Sequence, residues 1–288
     1  MVVLPGAVAR PHHQRPVKVT PTDAARMLRP LSARSVVAST LLGTHPPSLP
    51  GRLLVALGER FGISAGTTRV ALSRMIDRGE LVNADGVYML TGPLLRRQAR
   101  QDASRIRPPQ GEWDGTWEQA VIVGSGRSAV ERSQLRRNLT ALGLGEWREG
   151  VWMRPANLDV DDQAAARADV DRHVMWFRVM ALTPDEAAEI SSIVFDLEAW
   201  ATDAKALEYA LVSARARLST DDSGLVDGFM LSAAALRHFT HDPRLPVELQ
   251  PPDWPAASLH QAFDAYHADY QTLLGDFFRA QRPSTSVN

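Results

Sequence analysis

Cysteine is absent from the 288-residue chain, and that one absence excludes disulfides, thiolate zinc sites and cysteine nucleophiles together. Lysine is nearly absent too: Lys18 and Lys205 are the only two among 32 basic residues. No stretch approaches the roughly 18–20 apolar residues of a membrane span. Pro5, Arg10, Pro11, His12 and His13 interrupt any apolar run near the start, so no signal peptide is expected and a cytoplasmic location is. Nor is there an excess of charge of either sign, with 32 Lys and Arg against 33 Asp and Glu, which alone points to no nucleic-acid partner.

The charge is nevertheless unevenly placed. Residues 1–107 hold 16 Lys or Arg and 6 Asp or Glu, a net of +10; residues 108–288 hold 16 and 27, a net of −11. A basic end on an acidic body suits a DNA-facing head whose body is repelled from the duplex. A chain of this length exceeds one typical domain. Residues 1–28, rich in proline and basic groups, are expected to be a disordered tail, as is the segment from Pro283.

Residues Phe61 to Thr91 carry the most information. Phe61-Gly62-Ile63-Ser64 closes one short helix and opens another, with Ser64 as N-cap ahead of Thr67, Thr68 and Arg69. The second helix runs to about Arg78 and stops at Gly79. Glu80 to Asn83, the hairpin signal Asp85-Gly86 and Val87 to Leu90 then spell a two-stranded wing. Helices Leu31 to Leu42 and Gly51 to Arg60 precede it, joined by the loop His45-Pro46-Pro47-Ser48. This is the order of a winged helix-turn-helix, which lays its second helix into the DNA major groove.

On the helical wheel Thr68, Leu72, Met75 and Ile76 share one side, expected to pack. Thr67, Arg74 and Asp77 lie opposite, flanked by Arg69, Ser73 and Arg78. Hydroxyls and guanidinium forks suit phosphates and guanine edges. Ser64, Thr67, Thr68, Arg69, Ser73, Arg74 and Arg78 are the expected DNA-binding residues. An amphipathic helix with a solvated face would explain a lone helix as well; helix, turn, helix and wing in order is the more specific pattern. Arg96 and Arg97, in the basic helical stretch Leu94 to Arg100, are expected on the DNA backbone.

Beyond a linker at Arg105 to Gln110 the composition shifts, and all seven tryptophans follow it. Strands at Trp117–Val123, Gly150–Met153 and Val174–Leu182 alternate with helices at Ser128–Leu142 and about Asp161–Asp169. That alternation predicts a ferredoxin-like α+β domain over residues 111–182. Thr183-Pro184-Asp185-Glu186 is a capping box with proline in the first turn. It opens a helical C-terminal domain over 183–282, first with a helix whose apolar stripe is Ile190, Ile193, Val194, Leu197 and Ala201, then with helices near Ala204–Arg217, Gly224–Phe239 and Leu259–Ala280, Trp254 anchoring the proline-rich segment before the last. The expected fold class is α+β multidomain, with the winged helix-turn-helix domain over 29–107.

Three blocks then carry a family resemblance. The first is Leu31-Ser32-Ala33-Arg34-Ser35 through Arg78-Gly79-Glu80-Leu81. The second is Trp113-Asp114-Gly115-Thr116-Trp117 with Leu142-Gly143-Leu144-Gly145 and Gly150 to Pro155. The third is Asp242-Pro243, Leu245-Pro246, Glu248-Leu249 and Asp253-Trp254-Pro255. In this order they resemble the PaaX family, bacterial repressors of phenylacetate catabolism and their relatives. The resemblance implies a homodimeric repressor of double-stranded operator DNA, released by an acyl-CoA thioester effector. It carries over no ligand-binding residue.

Enzymatic readings find little support. The central domain also resembles small CRISPR-associated ferredoxin-like endonucleases, which place a metal-binding aspartate at the end of the first strand. Here that strand ends Val123-Gly124-Ser125-Gly126 with no carboxylate, so a nuclease is the alternative and not the expectation. A ligand-processing enzyme would need a nucleophile and base that no motif supplies. His238 with His241, and His260 with His267, invite a metal site, but without carboxylate partners they are expected as surface or boundary histidines. Neither a metal nor a cofactor is expected, and the protein is not expected to be an enzyme.

Overall fold

The computed structural model describes residues 31–105, 113–124, 126–158, 167–181, 183–218 and 222–281. The expected terminal tails, most of the 105–110 linker and most of the helix at 161–169 lie outside them. Among the described residues the chain forms α-helices and two antiparallel sheets, a mixed α+β architecture.

The N-terminal head begins with α1, Ala33–Leu42, capped by Ser32, whose hydroxyl accepts the Ser35 amide. β1, Ser48–Pro50, leads into α2, Gly51–Arg60. After the turn at Gly62, which holds φ +70°, α3 spans Ala65–Asp77. β2, Leu81–Ala84, and β3, Val87–Leu90, are joined through Asp85 and Gly86, both at positive φ as a tight primed hairpin turn requires. The three strands pair in the order β1-β3-β2, and α4, Gly92–Arg105, follows. β1 falls where a loop was expected. Three prolines in Pro46 to Pro50 hide it, and they are tolerated because β1 is an edge strand. Val37, Leu41, Leu54, Leu72, Met75, Leu81, Leu90 and Leu94 form the head's own core.

A close helix crossing fixes α3. A Cβ added at Gly58 would stand 2.6 Å from the Thr68 hydroxyl oxygen, so glycine alone lets α2 and α3 approach this far.

The central sheet has four antiparallel strands in the order β5-β6-β4-β7: β4 Thr116–Ile122, β5 Gly145–Arg148, β6 Val151–Pro155 and β7 Val174–Met180. β5 was not anticipated: it is four residues long and irregular between Glu146 and Arg148, so it shows no clean alternation. One face of the sheet packs Ala120, Trp152 and Val174 against Leu135, Leu139 and Leu142 of α5 (Ala129–Ala141) and the residues just after it. The other face packs Trp117 and Met153 against Ala187 and Val194 of α6 (Pro184–Val194) and against Leu245 and Leu249.

The capping box at Thr183 and Glu186 forms as the sequence indicates. The helix it opens lies against the sheet, however, and does not continue through residue 201. Phe195 turns extended and packs toward the sheet, and Asp196 caps a new helix by accepting the Ala199 amide. That helix, α7 (Leu197–Arg215), packs with α8 (Asp222–Phe239) and α9 (Ala256–Ala280). Trp254 stacks on Trp200 at 4.7 Å, anchoring the proline-rich segment as expected. Of the paired histidines, His241 is exposed and His238 and His267 are half-buried, as expected; only His260 departs from that. His260 is buried and stacks on Phe239 at 4.0 Å, and His238 stacks on Trp200 at 4.6 Å. Burial of His238 pushes its imidazole pKa down to about 4, which keeps it neutral near pH 7.

The head is not a separate bead. Val36 and Leu57 belong to the same buried cluster as Phe229, Tyr266, Leu273 and Phe277 of the helical bundle. Phe61, at the turn before α3, meets Phe229 edge to face at 5.0 Å. Gln271 donates to the Gly43 carbonyl at 3.1 Å, and Arg52 donates to the Gln281 carbonyl at 2.8 Å. Head and bundle therefore share a core.

Candidate nucleic-acid interface

Local sequence sets the pose of α3. Ser64 accepts the Thr67 amide at 3.2 Å and exchanges a hydroxyl hydrogen bond with Thr67 at 2.8 Å, which closes the helix N-terminus. At the other end Arg78 and the left-handed Gly79 stop it, and the Glu80 amide donates back to the Met75 carbonyl. Thr68, Leu72 and Met75 are buried against α1 and α2.

Of the seven expected DNA-binding residues, six are exposed: Ser64, Thr67, Arg69, Ser73, Arg74 and Arg78. Thr68 is a correction. It is 1% exposed, it donates to the Ser64 carbonyl at 3.3 Å, and its hydroxyl fills the space above Gly58, so it cannot meet a nucleic acid. Ile76, expected on the packing side, is instead partly exposed, because Met75 occupies the contact beside it. Arg96 and Arg97 are exposed on α4, which packs on α1 through the buried Leu94.

The electrostatics separate two kinds of arginine. Arg69, Arg74 and Arg78 form no ion pair among the described residues, so their forks remain available to an incoming anion. Arg34 is committed: it holds Glu80 in a bidentate pair at 2.6 and 2.9 Å, tying α1 to the entry of the hairpin. The Arg34 hydrogen bonds outweigh desolvation and hold the Glu80 carboxyl below its usual range. The stabilisation from this pair is fully present above the ordinary glutamate range near about pH 4.3 and is lost as pH falls through the depressed value. Glu80→Gln is therefore expected to lower stability near neutrality by up to about 1 kcal/mol, since Arg34 is partly exposed. The deficit should shrink as pH falls through that depressed value; urea titrations of both proteins from pH 7 down into acid check it, and a deficit with no pH dependence would not come from this ionisation.

Carboxylates do not assemble for chemistry in the central sheet. Glu118 on β4 is the acidic group within that strand, and two arginines take it up. Arg154, 2% exposed, binds it at 2.6 and 2.8 Å, and Arg167 binds its other oxygen while lying over the Trp176 ring at 3.9 Å. Burial alone would raise the Glu118 pKa, but the two guanidiniums overcome it and hold the carboxylate ionised. Among the described residues no three His, Cys, Asp or Glu side chains gather as a metal would need, and no helix is long and apolar enough to cross a membrane.

One exposed residue of α3 was passed over by the sequence reading. Val70 is 51% exposed and lies opposite the buried side of the helix. The wheel places it there, but a search for hydrogen-bonding groups overlooks an aliphatic side chain.

A basic head carrying an open, arginine-bearing helix is thus followed by a four-stranded sheet and a helical bundle, and the family matches to these three parts suggest a regulator of transcription. Three family models match the chain in turn: a PaaX-like protein over residues 32–93, the PaaX protein central Cas2-like domain over 110–191 and the PaaX-like protein C-terminal domain over 195–280. The chain belongs to the PaaX family. It is also similar to an uncharacterized protein from Mycobacterium tuberculosis, 35% identical over 86% of this chain and 99% of that one, with a TM-score of 0.64. No curated protein matches it significantly.

Proposed function

We propose that the protein is a homodimeric transcriptional repressor whose head acts as a winged helix-turn-helix on double-stranded operator DNA, and that it is not an enzyme. The observation that carries this reading is the exposed face of α3, where Arg69, Arg74 and Arg78 stand outside any close ion pair of the described residues, beside Thr67 and Ser73. Arg74 reads a guanine edge, and Arg69 and Arg78 bind phosphates, as do Arg96 and Arg97 on α4. The hairpin β2–β3 is the wing. It carries no basic residue and ends in Asp85, so α3 supplies most of the attraction. The strand order β5-β6-β4-β7 is that of a ferredoxin-like sheet with its first strand central, which supports that reading of the middle domain. Glu118 is spent on two arginines, which weighs against the nuclease alternative.

One head covers too few base pairs for high specificity, so two copies read two half-sites. Because the head shares a core with the bundle, the oligomer is to be measured on the full chain. Sedimentation at micromolar concentration is expected to give a dimer, and a strict monomer that still binds its operator tightly would remove this part of the reading.

An acyl-CoA thioester is the proposed effector, by family membership. A ligand that moves the bundle reaches α2 and α3 directly through Phe229 and Phe61. A coupling of about 1–3 kcal/mol loosens DNA about 5- to 150-fold, and DNA must weaken the ligand by the same factor. Calorimetry with phenylacetyl-CoA, other acyl-CoAs and the free acids, with and without DNA, tests it. Absence of any thioester binding below millimolar would end the effector claim and leave the DNA-binding claim standing.

A further inference from the structure

Val70 is placed where an aliphatic group has no folding role. At about 100° per residue it falls opposite Thr68, Leu72 and Met75, the side chains that bury α3 in the head. It is 51% exposed. Its neighbours one turn away are Gly66 and Thr67 before it and Ser73 and Arg74 after it, all exposed. Isolated surface valines are ordinary; this one sits in the middle of the face proposed to enter the groove. Valine is also a mediocre helix former, so local stability does not call for it here. Gly66 is a second poor helix former on the same ridge, and a Cβ there would meet only the Ser64 hydroxyl at 4.0 Å. Gly66 and Val70 thus make a low apolar strip near the helix N-terminus, the end from which recognition helices contact base edges.

The chemistry of the groove narrows what that strip can meet. A phosphate gains nothing from an aliphatic group, and the hydrogen-bonding base edges lose their water to it without repayment. The one apolar feature of the major groove is the C5-methyl of thymine. We infer that Val70 is a specificity-determining residue that packs on a thymine methyl in each half-site, with Gly66 allowing the close approach and Arg74 reading the adjacent base pairs. This rests on the DNA-binding reading above.

The test uses the full-length protein and a duplex selected by it from a random-sequence pool. Each thymine is replaced in turn by uracil, which lacks only the methyl group. One position per half-site is expected to weaken binding about 3- to 5-fold, the size of withdrawing one buried methyl from contact. Val70→Ala should lose a similar factor on the thymine duplex and become indifferent to uracil at that position, while keeping its response to salt. Its melting temperature should not fall, since the residue is exposed and alanine is the better helix former. A selected duplex with no methyl-sensitive position, or a Val70→Ala protein as sensitive as the parent, overturns the inference alone. Failure to enrich any sequence overturns it together with the DNA-binding reading.

Discussion

Replacing Arg69 and Arg74 together by alanine is expected to remove specific DNA binding while leaving the protein folded. Neither arginine touches another charged group among the described residues, and both are exposed, so their loss disturbs no packing. If Arg74 is bidentate to guanine, its share is about 1–3 kcal/mol of discrimination between sequences. With Arg69 on phosphate, as proposed, its removal is expected to lower affinity on every sequence and flatten the salt dependence by about one counterion. The double variant should bind selected and scrambled duplexes with nearly equal, weak affinity at an unchanged melting temperature. Retention of the parent's preference for the selected duplex would mean that another face of the head meets DNA.

The second large effect lies far from that helix. Glu118→Gln is expected to destabilise the central sheet by about 3–5 kcal/mol, because it leaves a buried guanidinium without its counter-charge. Arg154 is 2% exposed, and among the described residues it donates to Glu118 and to the Leu142 carbonyl, the latter at 2.9 Å. Its pKa is driven down by burial and only partly restored by Glu118, which marks how much the pair depends on both members. Glu118→Leu combined with Arg154→Met and Arg167→Met should recover most of the loss, since an apolar replacement of all three charges removes the desolvation cost as well. Chemical denaturation of the three proteins reads both effects. A Glu118→Gln protein as stable as the parent would show that the fold does not depend on this counter-charge.

What the sequence disclosed was local in origin. The turn before α3, its Ser64 cap, its Gly79 stop and the Asp85-Gly86 hairpin each depend on neighbours within a few residues, and each stands where the residues placed it. Features that depend on distant partners were illegible. Thr68 fell on the packing side of the wheel and was still counted with the DNA-binding hydroxyls because it is polar; what the sequence did not show is that Gly58, on another helix, leaves room to bury it. β1 was hidden by prolines whose tolerance depends on an edge position, and β5 by its irregular register. The stripe Ile190 to Ala201 read as one helix, since periodicity continues across Phe195 while the backbone does not. The shared core of Phe61 and Phe229 joins residues from opposite ends of the chain, and no window of sequence contains both. Val70 was visible in position but silent in type, because hydrogen-bonding groups advertise recognition and a methyl surface does not.

The central claim is that this face of α3 reads DNA, and one measurement meets it most directly. The full-length protein is titrated with a duplex selected from a random pool and with a scrambled duplex, each at 50 and 200 mM salt. The account predicts tight binding to the selected duplex, weaker binding to the scrambled one, and a steep loss of both with salt as counterions return to the phosphates. Equal affinities on the two duplexes at both salt concentrations, or no binding to either at low salt, would contradict it.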